Sequence, residues 1–312
     1  MSVFDGRLAE LLGEARVSRN ASLASFTTFR VGGPADWLVT LKDANEVRAV
    51  VQLAREHGVP VSVLGGGSNL LVADAGVRGL VIRIHGGEVR AIGPTSIRAD
   101  AGLTINGLVR WTINRGVSGL EAWAGTPGTV GGAIYGNAHF QGRLISELIE
   151  QVTLVNADGH VEDVPVQEMA FGYDYSRLHR TREVVLSADF RSGTGEPAAL
   201  REVARASLAF RKRTQPLEAA SAGCIFQNPD PARERVPDGI PPSAGALVDR
   251  AGLKGAAEGH ARVSPTHANF IVNDGSATAA DIARLVERCK REVADRFGVN
   301  LREEIVRLGF DD

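Results

Sequence analysis

Apolar residues recur at helical spacing in four stretches of the chain. Asp43 and Glu46 make a capping box ahead of Val47, Val50, Val51 and Ala54, with Gly58 as the stop. Further helices are predicted over 104–115 and 198–213, and RTQP ends the latter because the residue before a proline is pushed out of helical geometry. From about 278 to 297, Ile282, Leu285, Val286, Cys289, Val293 and Phe297 share one face. Short β-branched runs lie between these helices. VPVSVL at 59–64 and GLVIRI at 79–84 read as buried strands across an NLLV segment, so 28–85 forms a small α/β unit. Between 86 and 195, EVRAIG, SIRADA, QVTLVNADG, HVEDVPV and EVVLSADF predict an antiparallel layer, with NADG at 156–159 as a hairpin turn. HANFIVN and NLREEIVRL, on either side of the last helix, predict an α+β C-terminal domain. The expected regions are 1–85, 86–212 and 213–312, with PDPARERVPDGIPP at 229–242 as a surface excursion.

Composition narrows the class. With 312 residues, 44% hydrophobic and 23% charged, the chain exceeds what one core comfortably fills. Its 35 Lys+Arg against 37 Asp+Glu give no electrostatic case for a nucleic acid or membrane partner. No basic start precedes an apolar run and no stretch approaches the roughly 18 apolar residues of a spanning helix, so a cytoplasmic location is expected. Cys224 and Cys289 are too few for a disulfide framework and too isolated for a zinc site. The 36 glycines are clustered, at 64–67, 125–136 and 252–259, as backbone wrapped around a ligand would be.

Two glycine loops carry the candidate chemistry. LGGGSNLLV at 64–72 follows a strand, so its amides can approach a phosphate closely. It has no lysine-serine pair and no third glycine at fingerprint spacing, and a strand follows it, which disfavours Walker and Rossmann nucleotide sites. GTPGTVGGAIYGN at 125–137 offers donors enough for a long polyphosphate or a ring edge. The alternative for each loop is a tight structural connection.

At these loops the chain resembles the UDP-N-acetylenolpyruvoylglucosamine reductases, the MurB flavoenzymes. FTTFRVGGPAD at 26–36 and the two loops are similar to the family's flavin-domain segments. SAGCIFQNP at 221–229, AGLKG at 251–255, HANFIVN at 267–273 and LREEI at 301–305 follow in order and resemble its substrate-domain signatures, in the form of its shorter second type. The resemblance implies an α+β protein: an FAD-binding fold of the vanillyl-alcohol oxidase/p-cresol methylhydroxylase type, in two α+β subdomains, plus a C-terminal α+β substrate-binding domain. It implies noncovalent FAD, NADPH as reductant, and reduction of UDP-N-acetylglucosamine enolpyruvate to UDP-N-acetylmuramate for peptidoglycan. The cofactor residues would be Leu64, Gly65, Gly66, Gly67, Ser68 and Asn69 in the first loop. In the second they would be Gly125, Thr126, Pro127, Gly128, Gly131, Gly132, Ala133 and Asn137.

The reaction the family implies needs a proton donor and a group that stabilises an enolate-like carboxylate. Cys224 stands where the family motif has serine and is the candidate donor, a thiol being a far better acid than a hydroxyl. Glu304 matches the family's C-terminal glutamate, with Glu303 on the opposite strand face. The family's arginine after tyrosine is absent: residues 173–176 are Tyr173, Asp174, Tyr175 and Ser176, which leaves Arg177 as the candidate cation. Gln227 replaces a family lysine, and Tyr173, Arg213, Gln227, Asn228 and Lys254 are the candidates for holding the nucleotide sugar. AHFQG at 138–142 also departs from the pattern; His139 in it is a supporting donor or a solvated loop residue. Cys289 reads as a small core residue and His85 as a strand end. Two other readings stay open: a flavin-dependent oxidase of the related fold, reoxidised by oxygen without NADPH, and a nucleotide-sugar or flavin-binding protein that has lost catalysis.

Overall fold

The computed structural model describes residues 3–156, 158–181, 183–230 and 232–310. The chain divides into two units: Met1–Asn20, Asp36–Gly66 and Arg78–Phe210 form the first, and Ala21–Ala35, Gly67–Val77 and Arg211–Asp312 the second.

In the first unit, the helix Ala44–Glu56 begins where Asp43 accepts the N–H groups of Asn45 and Glu46 and stops before Gly58, whose φ is +64°. The capping box is only half formed. The Glu46 carboxylate turns to Arg16, at 2.6 and 2.8 Å, because an ion pair outcompetes a neutral reach back to the cap. Val47, Val50, Val51, Leu53 and Ala54 pack with Leu80 and Ile82 in one core. These last two belong to Val77–Ile84, within a four-stranded sheet ordered Val17–Ser22, Pro34–Leu41, Val77–Ile84, Val61–Leu64, the final pair parallel. The predicted antiparallel layer is a five-stranded sheet: Val161–Pro165, Ile149–Val155, Val184–Arg191, Ser96–Asp100, Val89–Gly93. Its central strand, VVLSADF followed by Arg191, is buried at every position but the last, as a strand covered on both faces must be. Asn156 to His160 closes the predicted hairpin, Ala157 lying outside the described residues. Thr104 caps the helix Ile105–Asn114.

In the second unit, the helices Ala244–Arg250 and Ala279–Phe297 pack with a small antiparallel sheet of Ala257–Glu258, Ala261–Val263 and Ile271–Asn273. Phe29, Val31 and Leu71, distant in sequence, share this core. Two polar links hold their segments there. Asn273 Nδ2 donates to the Phe29 carbonyl at 2.8 Å, and the Asp74 carboxylate accepts the N–H groups of Ala279 and Ala280, both at 2.9 Å, at the start of the long helix. Two strands are shorter than the apolar alternation predicts. HANFIVN forms a strand only over Ile271–Asn273, and NLREEIVRL only over Val306–Leu308, parallel to Leu70–Val72, with an isolated antiparallel bridge from Glu303 to Phe226 before it. Residues 229–242 carry no helix or strand among the described residues. No helix there is long and apolar enough to cross a membrane.

Candidate active site

In the first unit the two glycine loops touch. A Cβ added at Gly65 would lie 2.5 Å from Thr129 Oγ1, and one at Gly66 only 2.6 Å from Gly128 Cα, so the backbones meet where no side chain fits. Neighbours pin the second loop. Asn106 Oδ1 accepts Gly125 N–H at 2.7 Å, and the N–H groups of Val130 and Gly131 donate to Leu103 and Ala101 carbonyls, each at 2.8 Å. Among the described residues the amides of Gly66 and Gly128 donate to nothing. Uncommitted amides on a surface without side chains suit the pyrophosphate of a dinucleotide, and these residues fit FAD on that ground. Asn137 is committed otherwise: fully buried, it donates from Nδ2 to the Gly172 carbonyl at 2.8 Å and accepts Ser146 N–H. Leu64 is buried at the end of its strand.

The second unit builds the segment around Cys224. Gly223, at φ +82°, turns the chain, and Ile225 and Phe226 then sink into the core at 0% and 1% exposure. Asn269 fixes this stretch: its carbonyl accepts Ile225 N–H, its Oδ1 accepts Phe226 N–H at 2.9 Å, and its Nδ2 donates to the Phe226 carbonyl at 2.8 Å. Cys224 is thereby held half-buried immediately before an anchored pair. The next strap is the C-terminal segment, for Glu304 N–H donates to the Ile225 carbonyl at 2.8 Å and Gln227 N–H to the Arg302 carbonyl at 2.9 Å. Cys224 and Glu304 come together on these paired backbones. Asn69 joins them: its Nδ2 donates to the Glu304 carbonyl at 2.9 Å, and its carbonyl accepts Val306 N–H.

Other candidates are placed differently. The Arg177 guanidinium is closed in a two-pronged pair with Glu183, at 2.9 and 2.5 Å, so its charge is already matched. Glu303 is gripped by Lys290 and Arg307, away from its neighbour. Lys254 pairs with Asp249 at 2.8 Å, and Asn228 Oδ1 accepts Ala244 N–H at the start of a helix. Arg213 is exposed in the last turn of Pro197–Thr214, and Gln227 is half-buried. Tyr173 is exposed and lies against the His139 ring, centroids 4.9 Å apart, while His139 Nδ1 meets Asp174 Oδ1 at 3.0 Å. Cys289 is 1% exposed, and burial pushes its thiol up to about 12. The sequence reading missed Asn269 and the bracing role of Asn69. For Asn269 a signal existed, a polar side chain within the apolar run HANFIVN, since a buried carboxamide has to be fully bonded.

Comparison with known proteins agrees with this geometry. Residues 215–308 match the family model described as the UDP-N-acetylenolpyruvoylglucosamine reductase C-terminal domain, and residues 35–165 match an FAD binding domain model. A UDP-N-acetylenolpyruvoylglucosamine reductase of Synechococcus sp. (strain WH7803) is 38% identical over 100% of this chain and 99% of its own. One from Symbiobacterium thermophilum is 38% identical over 98% of this chain and 96% of its own. The crystal structure of that reductase from Thermus caldophilus superposes with a TM-score of 0.78 at 34% identity, covering 94% of this chain and 99% of the other. A variant of Phl p 4, a glucose oxidase, shares the fold over 63% of this chain, with a TM-score of 0.50 at 16% identity. The architecture is the α+β FAD-binding fold of the vanillyl-alcohol oxidase type with a C-terminal α+β domain, and the chain belongs to the UDP-N-acetylenolpyruvoylglucosamine reductase family.

Proposed function

We propose that this protein is an NADPH-dependent flavoenzyme that reduces UDP-N-acetylglucosamine enolpyruvate to UDP-N-acetylmuramate, in the cytoplasm, on the way to peptidoglycan. When bound, FAD would supply hydride transfer between NADPH and the methylene carbon of the enolpyruvyl ether. Gly65, Gly66, Gly128 and their loop neighbours would hold its pyrophosphate with backbone amides. Residues from 213 onward carry the substrate, with Tyr173, Arg213, Gln227, Asn228 and Lys254 toward the nucleotide sugar. Cys224 delivers the proton to the carbon next to the carboxylate, completing addition of H⁻ and H⁺ across the double bond. Glu304, held by the Ile225 carbonyl and by Asn69, serves the carboxylate on which negative charge builds. Arg177, its guanidinium closed on Glu183, braces its loop in place of meeting that carboxylate.

The observation that carries this reading is the backbone pairing of the Cys224 and Glu304 segments, which puts an acid and a carboxyl on one anchored scaffold. The test separates the half-reactions. Under anaerobic conditions NADPH is expected to bleach the flavin and the enolpyruvyl sugar to restore its colour. Cys224→Ala is expected to leave bleaching within about twofold and to slow recovery by about a hundredfold or more. Equal slowing of both halves removes Cys224 from proton transfer, and wild-type protein that bleaches without recovery refutes the substrate assignment.

A further inference from the structure

We propose that Asn106 is a positioning residue for the FAD site: its carboxamide, bonded to both Gly125 and Thr126, presets the second glycine loop for the cofactor's pyrophosphate and takes the Gly125 amide out of phosphate binding. The proposal rests on the cofactor reading above and adds a residue outside both loops on which that site depends. Every residue it uses lies in the first unit.

The segment 101–106 runs alongside the loop and holds it residue by residue. The N–H groups of Gly131 and Val130 donate to the Ala101 and Leu103 carbonyls, each at 2.8 Å, and Thr104 bridges to Thr129. Ile105 N–H then donates to the Gly128 carbonyl at 3.1 Å. The loop residue that meets Gly66 of the first loop is therefore bonded to the residue directly before Asn106. There the helix Ile105–Asn114 begins, and its second residue carries the pairing on with its side chain. Asn106 Oδ1 accepts Gly125 N–H at 2.7 Å, and its Nδ2 donates to the Thr126 carbonyl at 3.4 Å. A carboxamide can accept from one peptide and donate to the next, as a neighbouring strand would.

Two features tie this brace to binding. Gly125 and Gly128 have φ of +83° and +100°, and a glycine stretch of this kind has many competing conformations and no side chains of its own to choose among them. A loop that holds its binding conformation only part of the time binds with an affinity reduced by that fraction, and the bonds from Asn106 raise the fraction. They also spend the Gly125 N–H, whereas the Gly128 N–H donates to nothing among the described residues and stays available to a phosphate. Second, Asn106 is exposed in the first turn of its helix, where alanine would favour the helix more. The carboxamide serves the loop, and it does so without touching FAD.

The test is FAD binding to the full-length protein, with association and dissociation followed by flavin fluorescence. Asn106→Ala removes both bonds and is expected to weaken FAD binding by about two- to twelvefold, the net worth of a hydrogen bond. The loss is expected in the association rate, with dissociation within about twofold, because a preset loop changes how often the site is ready and leaves the contacts in the bound state alone. Asn106→Asp keeps the acceptor for Gly125 N–H and suits the first turn of a helix. In high salt, which screens its charge from the phosphates, it is expected to bind FAD within about twofold of wild type. Unchanged affinity in Asn106→Ala overturns the proposal, whatever happens to its unfolding midpoint. So does a loss carried wholly by faster dissociation, which marks a direct contact to the cofactor, or an aspartate variant as weak as alanine in high salt. The cradle reading fails instead if Gly66→Ala also binds FAD as tightly as wild type.

Discussion

Replacing Asn269 with alanine removes both side-chain hydrogen bonds to Phe226, the N–H into Oδ1 at 2.9 Å and the carbonyl from Nδ2 at 2.8 Å. Asn269 is 3% and Phe226 1% exposed, so neither freed group reaches bulk water. Each buried group left unmade costs about 1–3 kcal/mol. The pair therefore predicts a loss of about 2–6 kcal/mol, toward the lower end if a water occupies the vacated space. The backbone bond from Ile225 N–H to the Asn269 carbonyl survives, so the Cys224 segment loosens without detaching. Asn269→Asp restores only the acceptor and buries a charge, and is expected to be no more stable than alanine. Urea unfolding followed by far-ultraviolet circular dichroism is the assay, because Trp37, Trp111 and Trp123 all lie in the first unit and their fluorescence would miss the second. A loss below about 1 kcal/mol would refute the claim that this carboxamide is the main anchor of the segment.

Gly66→Ala puts a methyl 2.6 Å from Gly128 Cα and must push the loops apart; overpacking of about 1–3 kcal/mol predicts FAD affinity lower by about five- to 150-fold by flavin titration. Gly6→Ala, in the helix Val3–Leu12 with nothing within 4 Å, is the control and should bind FAD normally; equal affinities for both variants would sink the cradle. His267 tests pH dependence, since burial first and then Lys254 hold its imidazole below the ordinary histidine range, while Nδ1 accepts Asn269 N–H at 3.2 Å. The unfolded chain then takes up this proton before the folded one does. The stability of neutral His267 is complete above about pH 6.5 and is lost as pH falls through the folded pKa. Thermal midpoints from pH 8 to pH 5 should show wild type losing ground to His267→Gln on acidification, and parallel curves would contradict this.

What the sequence makes legible is what is signalled locally. Asp43, the apolar spacing and Gly58 agree with one another, and the helix Ala44–Glu56 forms between them. The five antiparallel strands are each bounded by turn residues and appear where expected. Nothing local marks residues 21–35 and 67–77 for the second unit, because the bonds that place them reach from Phe29 to Asn273 and from Asp74 to Ala279. Strand length fails for the same reason. Alternation in NLREEIVRL says which faces are compatible with a strand, but a strand extends only as far as its partner: Leu70–Val72 offers three residues, and Phe226 only a single bridge to Glu303. His139 and Asp174 each stand out in the sequence, and only the turn at Gly172–Tyr175 reveals that they are bonded.

The adjacent glutamates show how one short segment separates scaffold from chemistry. Lys290 and Arg307 take both oxygens of Glu303, so that carboxylate is spent on holding the segment to the long helix Ala279–Phe297. Glu304 is held by its backbone. Its N–H goes to Ile225, its carbonyl takes Asn69 Nδ2, and Val306 N–H two residues on goes to the Asn69 carbonyl. None of these bonds uses its carboxyl group, so its backbone is located to within hydrogen-bond tolerance by main-chain and carboxamide bonds alone. Under the proposed role, a group that has to meet a developing charge without reorganising needs a backbone fixed in this way. Asn69 belongs to the same glycine-rich loop whose earlier members, Gly65 and Gly66, touch the second loop. The segment proposed for the cofactor's phosphates is thus continuous, within three residues, with the one that braces the Glu304 backbone.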